Sequence, residues 1–368
     1  MNKNARKFGR TAILSITLAL GAPGAFAQEA AVAQEALKTS LVNIATHMKF
    51  ETVDLSTYKP APPVPAARPD PGSGPKATRS FSFDWTSDTV SYLIYAESGA
   101  GAVNITLPSG PERPHNNGAS ASFIYPGADL PVKAGKYGFD VSGGGSDAAS
   151  VIQSVRKGGQ PSSGVLDLNL FVLEGCGLTT TGLNEGLNVF ASVYADAGIS
   201  LGAINVVLLT GASAFLSPGS FEEAQVLFEG VSRLVTATPP NRLAANFFFT
   251  KKLAGVYGYS QGIPAALGIL GTSSGGVVVS IDTHMTDSGF DAHEFGLTMA
   301  HENGHSMGLY HTSERDGSDH DTISDTPQCA GGDAAGCPDG INIMFWSGHF
   351  PDLSTGQGYV LRRSPIVH

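Results

Sequence analysis

The sequence predicts an α+β fold over residues 161–368, preceded by a small all-β module over residues 79–160. Three observations carry this. Short stretches alternating at period two, separated by Gly and Pro turns, fill residues 79–159. After Pro161-Ser162-Ser163-Gly164 the pattern changes to apolar strands alternating with amphipathic segments. The 46 glycines and 22 prolines favour strands and loops over long helices. A chain of 368 residues is long enough for two such units.

Residues 1–27 read as a secretory signal. Lys3, Arg6, Lys7 and Arg10 precede the apolar run Thr11–Leu20, and Ala25-Phe26-Ala27 offers a small-x-small cleavage site. The apolar run is too short for a spanning helix, so no stable membrane insertion is expected once the signal is removed. Export sets an oxidising compartment, outside the cell or in a periplasm as the alternative. The whole chain has 22 bases and 32 acids; without the four leader bases, 18 bases face 32 acids, a net of −14. So acidic a body argues against nucleic acid or anionic lipid as a partner.

Residues 28–78 read as a pro-segment or spacer, partly helical over Ala33–Met48 and then irregular. It ends in Pro60–Pro75, whose seven prolines predict a semi-rigid linker. In the β module, strands are expected at Ser80–Trp85, Val90–Tyr95, Val103–Leu107 and Tyr137–Val141. Together they suggest an antiparallel sandwich serving stability or attachment. Beyond Gly164, strands are expected at Val165–Val172, Ile204–Leu209, Asn246–Phe249 and Gly276–Ile281. Helices are expected over Asn184–Ala197 and after Ser220, where Glu223 three residues on makes a capping box. Of the three cysteines, Cys329 and Cys337 flank a short loop and are the expected disulfide, which leaves Cys176 as a free buried thiol.

One stretch carries chemistry: His301-Glu302-Asn303-Gly304-His305-Ser306-Met307-Gly308-Leu309-Tyr310-His311. On a helix, His301 and His305 stand one turn apart on one face, at chelating distance. Gly308 permits a sharp helix end, which lets His311 return as a third ligand. Three imidazoles with one open position describe a catalytic zinc site. Glu302 stands beside them as a candidate general base for a metal-activated water.

This stretch matches the elongated zinc motif of the metzincin metallopeptidases. Asn342-Ile343-Met344-Phe345-Trp346 resembles their Met-turn, with Met344, 33 residues after His311, as the methionine. The segment Asp325-Thr326-Pro327, the nearby Cys329 and Cys337, and Asn342 resemble the pappalysin (cytophagalysin-type) branch. The resemblance covers residues 165–368 and is motif-specific over 293–346. It implies a mixed five-stranded sheet with two helices, an active-site helix ending at Gly308, and an irregular lower part with Met344 as a floor under zinc. It implies a secreted endopeptidase acting on protein or peptide substrates. An extended substrate would pair with a sheet edge, for which Gly275-Gly276-Val277 is the candidate.

Trp346 stands where relatives often carry Tyr. An indole N–H donates one hydrogen bond but offers no phenolate, so Trp346 is a candidate transition-state donor only. Tyr310, Tyr359 and Arg315 are candidate stand-ins. The loop carboxylates Asp319, Asp321 and Asp325 suit calcium, and Asp325 alternatively orients a histidine. Residues 28–80 hold no cysteine, which excludes a cysteine-switch form of latency. The competing function is a zinc-binding surface or adhesion module with weak or no catalysis.

Overall fold

The structure is a computed structural model that describes residues 47–55, 78–97, 103–106, 113–116, 121–125, 132–143, 150–211, 213–230, 243–266 and 268–368. The signal segment, the 33–46 part of the expected helix and the Pro-rich linker lie outside the described residues.

Strand β1 (His47–Asp54) comes first. Residues 49–54 were expected to be irregular and Met48 to end a helix, so this is a correction. Next come β2 (Thr78–Trp85), β3 (Thr89–Glu97), β4 (Val103–Thr106), β5 (Arg113–Asn116), β6 (Ala121–Tyr125), β7 (Gly135–Gly143) and β8 (Ser150–Lys157). They form two antiparallel sheets, ordered β2-β7-β4 and β5-β6-β3-β8. Phe83 and Trp85 of β2, Tyr92 and Ile94 of β3, Ile124 of β6, and Phe139 and Val141 of β7 make one apolar cluster. The opposite face of β3 is buried as well: Leu93, with Phe123 of β6, joins the large core of the C-terminal region. Tyr95 packs with Ala266, and its hydroxyl lies 3.0 Å from Ser273 Oγ. A strand buried on both faces explains the unbroken apolar run of β3.

The C-terminal region then alternates. It contains β9 (Gly164–Leu173), α1 (Thr180–Asp196), β10 (Ile199–Thr210), α2 (Phe221–Glu229), β11 (Ala245–Thr250), β12 (Gly258–Ser260) and β13 (Val277–Ser280). The short hairpin β14 (Met285–Thr286) and β15 (Gly289–Phe290) leads into α3 (Ala292–Ser306), and α4 (Thr355–Leu361) lies near the end. Helix α1 starts four residues before expectation, because Thr179 caps it by accepting the Gly182 N–H at 3.0 Å. At α2, Ser220 Oγ accepts the Glu223 N–H as expected, while the Glu223 carboxylate reaches Gly219 N at 2.7 Å. Among the described residues no helix is long and apolar enough to cross a membrane.

The sheet has six strands in the order β1-β10-β9-β11-β13-β12, one more than expected. All neighbours are parallel except β12, which pairs antiparallel with β13. β13 therefore sits inside the sheet, and the expected edge at Gly275-Gly276-Val277 is corrected to β12. Asn205, Asn169 and Asn246 form a buried ladder across β10, β9 and β11, at 2.8 Å each, ending on the Gly275 carbonyl at 2.7 Å. A one-residue slip would leave these buried amides unpaired, so the ladder pins the register. Phe171 of β9 stacks on Phe248 of β11 at 4.4 Å, and Phe228 of α2 packs edge-on against Phe248. Cys329 and Cys337 are bonded and Cys176 is a buried free thiol.

Candidate metal centre

Helix α3 opens at Asp291, whose carboxylate accepts the Glu294 N–H at 3.0 Å. His301 and His305 lie in its last turns. Gly308 ends the helix with φ +102°, a conformation that favours glycine, and the Leu309 N–H closes on the Gly304 carbonyl at 2.9 Å. The chain reverses there, which returns His311 to the helix.

The three imidazoles converge through one type of nitrogen. His305 Nε2 lies 3.1 Å from His311 Nε2, which lies 3.3 Å from His301 Nε2. Each Nδ1 faces an oxygen instead: the Ile343 carbonyl at 2.6 Å for His301, the Leu309 carbonyl at 2.8 Å for His305, and Glu314 Oε1 at 2.9 Å for His311. With Nδ1–H donating outward, every Nε2 presents a lone pair to one point. Tetrahedral bonds of about 2.05 Å hold nitrogens about 3.3 Å apart, so the donors suit zinc. Burial and the neighbouring rings hold His301 down at about 3 and His305 well below the usual imidazole range, so both are neutral. Cys329, Cys337 and Asp339 also come together, but the two sulfurs are joined in the disulfide.

Glu302 is pressed between the helix and β12. A Cβ on Gly258 would stand 2.7 Å from Glu302 Cγ and 2.9 Å from Thr298 Cγ2, so only glycine fits. The Ser260 N–H donates to the carboxyl, while burial pushes it up to about 8. Ser260 Oγ in turn lies 2.8 Å from Ser306 Oγ, tying the edge strand to α3.

Met344 is fully buried beneath α3. A turn over 342–345, closed by the Phe345 N–H on the Asn342 carbonyl at 3.0 Å, places it there. Gly304, between the two helical histidines, leaves room for its thioether. Gly348 lies against the His301 ring, where a Cβ would stand 2.8 Å from Nδ1. His349 Nδ1 then hydrogen-bonds Glu294 Oε1 at the start of α3.

Other expected site residues fall elsewhere. Trp346 donates its N–H to the Gly332 carbonyl at 3.0 Å and lies under Arg315, so it is not free to serve a transition state. Tyr310 OH donates to the Ile263 carbonyl at 3.4 Å, and Tyr359 packs under Arg363. Nothing in the site supports the calcium expectation: among the described residues, Asp319, Asp321 and Asp325 join no metal-binding group. Asp319 is exposed and accepts the His320 N–H. Asp321 is buried, bonded to Ile323 N and Thr326 Oγ1. Asp325 accepts Ser354 Oγ and Gly356 N, both at 2.8 Å, at the start of α4 rather than beside a histidine. Sequence reasoning missed Glu314, whose spacing of three from His311 was the available signal. It also missed Gly258 and Ser260, for which a three-residue strand gives none.

No family model matches the chain, and no curated protein matches it. Among solved structures it is similar to metalloproteinase-II from Bacteroides fragilis, with a TM-score of 0.35 and 12% identity over 55% of this chain and 53% of that one. It is similar to archaemetzincin from Methanopyrus kandleri, with a TM-score of 0.29 and 16% identity over 56% of this chain and 90% of that one. A chaperone–substrate complex gives a TM-score of 0.32 and 13% identity over 61% of this chain and 40% of that one. The chain spans about half the length of the first of these proteins.

Proposed function

We propose that the protein is a secreted zinc-dependent endopeptidase, of the pappalysin branch of the metzincins. The convergence of three Nε2 donors on one point beside a carboxylate is the observation that carries this reading. The motif from His301 to His311, the Asp325-Thr326-Pro327 segment and the Cys329–Cys337 bond support the branch. The signal-like N-terminus and the disulfide support export.

When bound, zinc supplies a Lewis acid and a water acidified to near pH 7. His301, His305 and His311 would hold it, each oriented by its Nδ1 acceptor. Glu302, beside them, would be the group that accepts a proton from a water and passes it to a departing amine. Burial raises its carboxyl, and a metal held by the histidines would lower it again toward the ionised form that accepts a proton. An extended peptide adds to the open edge at β12, next to Glu302. Met344 floors the site.

One observation favours the alternative reading of a zinc-binding module with weak catalysis: Trp346 replaces the usual phenol and its N–H is already engaged by Gly332. Metal analysis and cleavage of a peptide library, wild type beside Glu302→Ala, separate the two. We expect about one zinc in each protein and chelator-sensitive cleavage by the wild type alone. Cleavage by Glu302→Ala at the wild-type rate would remove Glu302 as the base. Zinc in both with cleavage by neither would favour the module.

A further inference from the structure

The sheet has two edges with opposite needs. β12 packs against α3 at Glu302 and Ser306. At the far side, β10 would be the edge if β1 were absent. β10 is twelve residues long and apolar on both faces, with Ile204, Val207 and Leu209 fully buried. An open, long apolar edge pairs with any extended chain it meets. Here β1 covers it in eight consecutive parallel steps, from His47 beside Ala203 to Asp54 beside Thr210. The Leu55 N–H adds a bond to the Thr210 carbonyl at 2.8 Å, and Thr210 Oγ1 donates to the Val53 carbonyl at 3.4 Å. Leu55 is 2% exposed and belongs to the main core, with Val53 packed against it.

Parallel neighbours cannot be joined by a tight turn. In this chain the two antiparallel sheets, residues 78–157, lie in sequence between β1 and β9, the strand on the other side of β10. A cut in the 60–75 stretch would therefore sever the covalent link to β1 without touching its pairing.

We propose that the β10 edge is a strand-docking surface whose permanent occupant is residues 47–55 of the same chain. Processing in the Pro-rich stretch then yields a nicked, two-piece protein, and only a cut before residue 47 yields a shortened one. This rests on strand pairing and is independent of the metal reading.

The test places a site for a sequence-specific protease within residues 60–75 of the full chain. The protein is cut under native conditions, and the pieces are followed by gel filtration with mass spectrometry. Co-elution of both pieces, with separation only in denaturant, is expected. An N-terminal piece that elutes alone would overturn the proposal. A second variant needs no cut. By period two from Leu55, the Val53 N–H faces β10, so Val53→Pro removes a ladder donor. It should lower the melting midpoint and promote self-association; an unchanged midpoint with a monodisperse protein would overturn the docking role.

Discussion

Alanine at Gly304 separates two effects of opposite sign. Gly304 lies inside α3, and replacing an interior helix glycine by alanine ordinarily stabilises by about 0.5–1 kcal/mol. Here the new Cβ would stand 2.6 Å from Met344 Sδ, 3.4 Å from its Cε and 3.5 Å from Leu309 Cδ1. Comfortable carbon contacts lie at about 3.5–4.0 Å, so the overlap with sulfur is about 1 Å. Met344 has rotatable bonds but little freedom. Its N–H donates to Asn342 Oδ1 at 2.8 Å, its carbonyl accepts the Thr312 N–H at 2.9 Å, and its side chain is fully buried. Overpacking of this kind costs about 1–3 kcal/mol, which cancels or outweighs the helix gain and leaves a net loss of up to about 2.5 kcal/mol. The displaced thioether would also disturb the helix between His301 and His305, so zinc affinity should fall by about tenfold, the lower end for groups that support metal ligands. Urea midpoints of the zinc-free protein and chelator competition for the loaded one measure the two quantities. In a double-mutant cycle, Met344→Ala should relieve most of the loss, with a coupling of about 1 kcal/mol or more. A Gly304→Ala protein more stable than wild type, or additivity within about 0.5 kcal/mol, would refute the contact.

Two further outcomes follow from buried groups. His284 is 1% exposed, bonded through Nδ1 to the Ser280 carbonyl at 2.6 Å and through Nε2 to Thr298 Oγ1 at 2.9 Å, and burial pushes it down to about 4. The folded state keeps it neutral while the unfolded chain binds a proton below about 6.5, so its contribution is complete above that pH and is lost as pH falls toward 4, by at most about 3 kcal/mol. Urea unfolding at pH 7 and pH 4.5 should show a smaller pH loss in His284→Gln than in wild type; equal losses would refute this. Burial pushes the Cys176 thiol up to about 11, so the native protein should resist alkylation at pH 8 and take one label on unfolding without reductant. Labelling of the native protein would contradict its burial.

Legibility followed the range of the interactions. Parallel strands buried on both faces announce themselves as apolar runs, and Phe247-Phe248-Phe249 and Val277-Val278-Val279 needed no partner to be read. The helical histidines were equally local, since a spacing of four places two side chains on one face whatever surrounds the helix. β1 was not legible, because what makes it a strand is β10, about 150 residues away. β12 was not either: Gly-Tyr-Ser is too short to show a period, and its place is set by pairing with β13. The loop carboxylates show the same limit in side chains. Asp319, Asp321 and Asp325 look alike in sequence, yet one is exposed, one is buried against Thr326, and one receives the start of α4. The indole N–H of Trp346 found a carbonyl fourteen residues back in a disulfide-closed loop, which no local pattern records.

The sheet's asymmetry links these particulars. A strand that receives an extended substrate must keep its outer backbone groups free, and such an edge invites unwanted pairing. β12 limits that hazard by being three residues long, with its inner side taken up by α3 through Gly258, Ser260 and Ser306. β10, four times as long and apolar on both faces, has no such protection of its own and is covered by β1. Among the described residues the same sheet thus leaves β12 without a further strand, where pairing would serve the proposed chemistry, and covers β10, where pairing would lead to aggregation. Lengthening β12 with apolar residues should therefore raise self-association more than it raises peptide binding, since a longer edge gains ladder bonds with any strand while Glu302 and the histidines meet only what lies over one short segment.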